Sequence, residues 1–276
     1  KKLRAFLETN ENPAPFISKY WAPKDDNNIQ PQERVYFTAE NGKIIDQMLF
    51  YIHNCVEEKY KPFFLAPLLV QCSIHNNTNG QFSAYFKDEK KEKGMYGGKK
   101  KIDLDRITGE IKPIMPILTS HQANINISQK DVIDWLDTLP EVDLMYYDPP
   151  YNKHPYNIYY FLLDIISNYD VNMKVPNTYR GQPKNWVKSK YCSLNKAKKE
   201  FETLINKTKA KFILISYNSK GIIPIKDIDD ILMKKGEVYK IPFDNKAFNK
   251  YLGIAAKKRE TENKKLEEFL WLIDCT

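Results

Sequence analysis

Nowhere in this 276-residue chain does a single residue separate two glycines, although it has ten. Glycines at that spacing after a strand let the backbone approach a ligand closely, because no Cβ intervenes. A glycine-loop cradle is therefore absent from the sequence as it stands. Cysteine is also scarce. Cys55, Cys72, Cys192 and Cys275 form no Cys-x-x-Cys pair and have no histidine at zinc-ligand spacing. They read as reduced thiols, which implies the cytoplasm and excludes a disulfide scaffold and a structural zinc site. The longest apolar run, residues 63–70, is far shorter than a membrane span and contains Pro67, so no membrane partner is expected. Disorder is excluded by composition, because 42% of the residues are hydrophobic.

What the chain has in excess is positive charge. The net charge of +8 favours an acidic partner, with nucleic acid the first candidate. Much of that charge is concentrated in residues 87–106, where Lys87, Lys99, Lys100, Lys101 and Arg106 stand among Gly94, Gly97 and Gly98. A basic, glycine-bearing loop is suited to phosphate contact, and a solvated loop is the alternative. Arg180 and Trp186 lie on a second loop with the same two readings.

Residues 1–120 read as mainly helical. Thr38 is a plausible N-cap for a helix over 41–58, where Ile45, Met48, Leu49 and Ile52 recur at helical spacing. An apolar segment follows over 63–72, and Asn76-Asn77-Thr78-Asn79-Gly80 is a turn signal. From about residue 121 strands and helices alternate. Strands are predicted at 124–128, 143–147 and 211–216. Helices are predicted at 131–139, 157–167, after a Ser193 cap, and at 227–235 before Gly236. Residues 237–242 and 269–274 suit a terminal antiparallel hairpin, joined by a polar, basic connection over 245–265. Such alternation predicts an α/β domain with a largely parallel sheet covered on both faces.

Asp148-Pro149-Pro150-Tyr151 directly follows the predicted strand 143–147. That is where an open α/β sheet binds ligands, outside the carboxyl end of a strand. The prolines remove two backbone donors but keep their carbonyls as acceptors. An acidic acceptor, a rigid carbonyl-lined bend and an aromatic ring thus occur together. Methylation of an exocyclic amine asks for that set. The nitrogen lone pair is delocalised into the ring, and acceptors for both N–H groups favour pyramidalisation and steady the developing positive charge. Asp148 and the Pro149 carbonyl suit the acceptor role, and Tyr151 suits stacking on a base taken out of the duplex. No metal is required. A proline-rich turn closing a strand is the structural alternative.

The tetrapeptide resembles the signature of DNA adenine amino-methyltransferases, in particular the Dam-like alpha group. The likeness extends along the chain in order. Tyr36-Phe37-Thr38-Ala39-Glu40-Asn41 and Asn77-Thr78-Asn79-Gly80 resemble segments of that group's recognition insertion. Tyr159-Tyr160-Phe161-Leu162-Leu163 is similar to its post-motif helix, and Ser216-Tyr217-Asn218-Ser219-Lys220-Gly221 to the strand end that follows. Tyr251-Leu252-Gly253 and Glu268-Phe269-Leu270-Trp271-Leu272 resemble its closing hairpin.

The resemblance implies a Rossmann-like S-adenosylmethionine-dependent methyltransferase sheet in residues 121–276. It also implies a mainly helical DNA-recognition region in 1–120, with double-stranded DNA as substrate, commonly within a restriction–modification system. Asp148, Pro149, Pro150 and Tyr151 would then be catalytic. Asp131, with Asp148, would face the donor, while a simple N-cap is the competing role for Asp131. Lys87, Lys99, Lys100, Lys101 and Arg180 would contact DNA. The family's glycine loop and the acidic residue for the donor's ribose are missing here. An N-terminal half-sheet, in cis or as a second chain, is therefore expected as a partner. An RNA base methyltransferase and a non-catalytic DNA-binding subunit of a split enzyme remain the alternatives.

Overall fold

The computed structural model describes residues 2–9, 13–184, 186, 188–245 and 266–276. In chain order its α-helices are α1 (Lys2–Glu8), α2 (Ile17–Trp21), α3 (Ala39–Cys55), α4 (Lys61–Ile74), α5 (Leu104–Ile107), α6 (Val132–Leu136), α7 (Tyr156–Asn168), α8 (Ala197–Lys207) and α9 (Ile225–Leu232). Its strands are β1 (Val142–Tyr147), β2 (Ala210–Asn218), β3 (Glu237–Asn245) and β4 (Leu266–Asp274). None of these helices is long and apolar enough to cross a membrane. The Tyr251-Leu252-Gly253 segment lies outside the described residues, as does most of the basic connection around it.

The chain divides into two compact units. The first takes residues up to Ser120 together with Tyr156–Trp186. Its central helix is α3, started by Thr38, whose side chain accepts from Asn41 N. Ile45, Met48, Leu49 and Ile52 on one face of α3 are buried, as the helical spacing requires. From the same helix the carboxylate of Asp46, itself buried, accepts from the backbone N–H groups of Phe16, Ile17 and Ser18 and from the Ser18 hydroxyl. It thereby caps α2, whose own N-cap residue supplies no side-chain bond. Burial pushes the Asp46 carboxyl up, against the four donors that stabilise its charged form. Helix α7 joins this core, with the Tyr36 ring set edge-on to Phe161.

Residues 76–103 are not helical. Asn76, Asn77 and Thr78 are buried, and Asn77 bonds the Val35 carbonyl while accepting from Gly97 N. Arg106, read in the sequence as part of the basic stretch, is buried too. Its guanidinium donates to the carbonyls of Ile74, Asn76 and Thr78. A guanidinium can serve three carbonyls of one turn at once because its N–H groups point in several directions from a single plane.

The second unit takes His121–Pro155 with residues 188–245 and 266–276. Its sheet has the order β1-β2-β4-β3, with β1 parallel to β2 and both other pairs antiparallel. The hairpin of β3 and β4 forms as expected, but the sheet is mixed and not largely parallel, because β4 returns between β2 and β3. The expected strand at 124–128 is absent. Its alternation is present, yet no strand edge pairs with it, and Ile125 and Ile127 are exposed.

Among the described residues the sheet is also not covered on both faces. Ile213, Ile215, Trp271 and Ile273 point to a closed core with α8 and α9. By register the opposite face carries Leu144, Tyr146, Phe212, Tyr239, Ile241 and Phe243, all between 37% and 55% exposed. Two boundaries differ as well. Ser193 accepts from Lys196 N and Ala197 N through its carbonyl, and α8 begins at Ala197 without a side-chain cap. Gly236 is not left-handed. Its lack of a Cβ matters because one would stand 1.9 Å from the Asp274 carbonyl oxygen of β4.

Candidate active site

Asp148 follows the last residue of β1, and Tyr147 is paired with Ile215 of β2. The parallel register therefore brings Ser216 alongside Asp148, and Ser216 Oγ donates to Asp148 Oδ1 at 3.3 Å. The next turn is fixed by Ile222 N, which donates to the Tyr151 carbonyl. The Tyr151 ring stands edge-on to Tyr217, centroids 6.3 Å apart, while remaining 39% exposed. Tyr217 is held in turn. Its hydroxyl accepts from Ile223 N, and a Cβ at Gly221 would lie 2.1 Å from its ring. That contact gives the Ser216–Gly221 motif its physical content: the glycine makes room for the tyrosine that backs the site.

Two cavities meet at this turn, both within the second unit. One, of about 330 Å³, is lined by Asp148, Tyr151, Ser216, Asn218, Glu268 and Phe269 among others. Its volume falls in the range of small-molecule pockets, about 300–1,000 Å³. The other, of about 580 Å³, is lined by Asp131, Val132, Asp148, Pro149, Pro150 and Tyr191 among others. The four motif residues are thus shared out. Tyr151 faces the first cavity, Pro149 and Pro150 the second, and Asp148 faces both.

Asp131 is the N-cap of α6, its Oδ1 accepting from Ile133 N at 2.9 Å, and it also lines the second cavity. The two roles read from the sequence are compatible. Two further residues in that cavity carried no sequence signal. Lys190 and Glu200 pair at 2.9 Å, an interaction that raises the lysine. Only folding brings them beside Asp131. His154 lines neither cavity, and His75 is structural, its Nδ1 lying 2.8 Å from the Arg106 carbonyl oxygen. Among the described residues no group of three His, Cys, Asp or Glu side chains is placed to hold a metal ion.

The basic residues singled out in the sequence belong to the first unit. Lys87 Nζ lies 4.3 Å from the centroid of the Tyr179 ring and 5.8 Å from that of Tyr85. Tyr179 OH donates to the Tyr85 carbonyl, and Arg34 holds the same loop through the carbonyls of Pro176 and Thr178. The loop carrying Arg180 is thereby tied to the hairpin carrying Lys87. Lys99 pairs with Glu89 at 2.9 Å, and Lys100 and Lys101 are exposed.

No family model matches the chain, and no solved structure matches it significantly. Among curated proteins it is similar to the type II methyltransferase M.FokI of Planomicrobium okeanokoites, 28% identical over 257 residues, which is 87% of this chain and 35% of that protein. It is also similar to the type II methyltransferase M.NlaIII of Neisseria lactamica, 28% identical over 254 residues, covering 88% of this chain and 68% of that protein. The type II methyltransferase M.CviAII of Paramecium bursaria Chlorella virus 1 is 23% identical over 272 residues, covering 97% of this chain and 72% of that protein. The chain thus spans about a third of the length of the first of these relatives.

Proposed function

We propose that this chain is the target-recognition and catalytic part of a DNA adenine N6-methyltransferase of the restriction–modification type, with S-adenosylmethionine as methyl donor. One observation carries the reading: Asp148 lines two cavities at once. A transfer between two bound molecules needs its acceptor group where their sites meet. The similarity to type II methyltransferases points the same way.

In this reading the target base enters the cavity of Tyr151, whose ring stacks on it. Asp148 accepts a hydrogen bond from the exocyclic amine and stabilises the positive charge that grows on nitrogen. It is also a base able to receive the proton which that nitrogen sheds. Asn218 and Glu268, on the cavity wall, offer further polar groups to the base edge. The second cavity suits the donor. Val132, Pro149, Pro150 and Tyr191 offer an apolar wall, and the carboxylates of Asp131 and Asp148 suit a cationic ligand. S-adenosylmethionine, when bound, supplies an electrophilic methyl group, and the chain's share is to orient it toward the Asp148 side.

We also infer a partner, the missing half-sheet. Among the described residues β1 has a strand neighbour on one side only. A parallel strand added at its free edge needs a crossover of a dozen or more residues, usually helical. One sheet face is already packed with α8 and α9, which leaves the open apolar face for that crossover. A single polypeptide segment, upstream in cis or on a second chain, thus answers the edge, the face and the absent glycine loop. The first unit, with Lys87, Lys99, Lys100, Lys101 and Arg180, is assigned to DNA recognition.

The test is Asp148→Ala in the complete protein. Methyl transfer to DNA is expected to fall by roughly a hundredfold or more, the usual result of removing one preorganised transition-state partner. Duplex affinity should change little, because phosphate contacts supply most of it. Turnover near that of the unmutated protein overturns the assignment.

A further inference from the structure

Asp148 is the end of a chain of hydroxyls. Tyr146 OH lies 3.0 Å from Ser216 Oγ, and Ser216 Oγ lies 3.3 Å from Asp148 Oδ1. The sheet makes this arrangement. Strand alternation puts residues 146 and 148 on the same face. The pairing of Tyr146 with Leu214 and of Tyr147 with Ile215 sets Ser216 one step further along β2, level with Asp148. All three groups stand on the open face of the sheet, where Tyr146 is 54% exposed.

The direction of the chain follows from its chemistry. A carboxylate offers only acceptors, and a serine hydroxyl has one proton. With that proton given to Asp148, the Ser216 oxygen accepts, and Tyr146 is the donor. The order is Tyr146 to Ser216 to Asp148. We propose that Ser216 and Tyr146 are positioning residues for Asp148, a directed pair of hydroxyls that holds one carboxylate oxygen so that the other faces the target amine.

This rests on the methyltransferase reading above. A side chain that is exposed and carries its charge on a short stem otherwise samples several staggered rotamers. Small misplacement of a reacting group is costly in rate, up to a hundredfold for about 1 Å. Tyr146 touches no reacting atom in this scheme, and neither does Ser216; both act through Asp148.

The experiment uses the complete protein with four variants: Ser216→Ala, Ser216→Thr, Tyr146→Phe and the double variant Ser216→Ala/Tyr146→Phe. Two quantities are read, the single-turnover rate of methyl transfer to DNA and the ¹³C resonance of the Asp148 carboxyl carbon. Ser216→Ala is expected to slow transfer about tenfold, within the range that misplacement alone produces, with DNA affinity unchanged and the Asp148 resonance moved. Ser216→Thr, which keeps the hydroxyl, should restore both. Tyr146→Phe should slow transfer less and should have no further effect in the Ser216→Ala background, because its influence passes through Ser216.

An Asp148 resonance that Ser216→Ala leaves in place, with methylation intact, overturns the positioning role alone. So does a Tyr146→Phe effect that is undiminished without Ser216. A resonance that moves in a protein that methylates no base overturns the methyltransferase reading, and the positioning role with it.

Discussion

The Lys87 ammonium sits 4.3 Å from the centroid of the Tyr179 ring, although 92 positions separate the two residues in the chain. The contact joins the basic hairpin to the loop of Arg180, and so gathers cations from two distant segments onto one surface. Such a surface is expected to bind DNA through phosphates, with the salt dependence that counterion release dictates.

Replacement of Lys99, Lys100 and Lys101 by Ala is therefore expected to weaken duplex binding and flatten its salt dependence. The slope of log affinity against log salt should drop by roughly one unit per lost phosphate contact. Lys99 is already paired with Glu89, so the drop should lie nearer two units than three. Fluorescence titrations across a salt series read it directly. An unchanged slope makes this stretch a solvated loop.

Asp46→Ala is expected to destabilise the first unit by about 3 kcal/mol, the range found when buried groups lose a charged partner. Three backbone N–H groups and the Ser18 hydroxyl would lose their common acceptor. Urea unfolding checks this. A loss under about 1 kcal/mol, the net worth of one ordinary hydrogen bond, means that water replaces the carboxylate.

The strands flanking the motif were legible because their apolar runs are short, continuous and bounded by turn residues. The helix after Thr38 was legible from its cap and its spacing. Residues 124–128 misled, since alternation describes a face but does not create the neighbouring edge that a strand requires. Arg106 misled for a different reason. Its charge reads as solvent-facing, and only the folded turn of Asn76–Thr78 presents the carbonyls that draw it inside. Of the site, Asp148 to Tyr151 stood out as a motif. The Ser216 and Tyr146 hydroxyls and the Lys190–Glu200 pair depend on strand register and helix packing, which no local pattern encodes.

The isolated chain is expected to bind S-adenosylmethionine weakly or not at all. Asp131, Pro149 and Pro150 build one wall of the second cavity, and the glycine-loop wall is to come from the half-sheet partner. Calorimetric titration of the donor into the chain alone, and into the chain with the proposed half-sheet partner, separates the cases. Tight one-to-one binding by the chain alone contradicts the need for that partner.

Nucleoside analysis of DNA from cells expressing the gene, with and without Asp148→Ala, decides whether the amine of adenine is methylated at Asp148. N6-methyladenine at one recurring sequence context, abolished by the substitution, is the expected result. N4-methylcytosine in its place, or N6-methyladenine that persists in the variant, would contradict it.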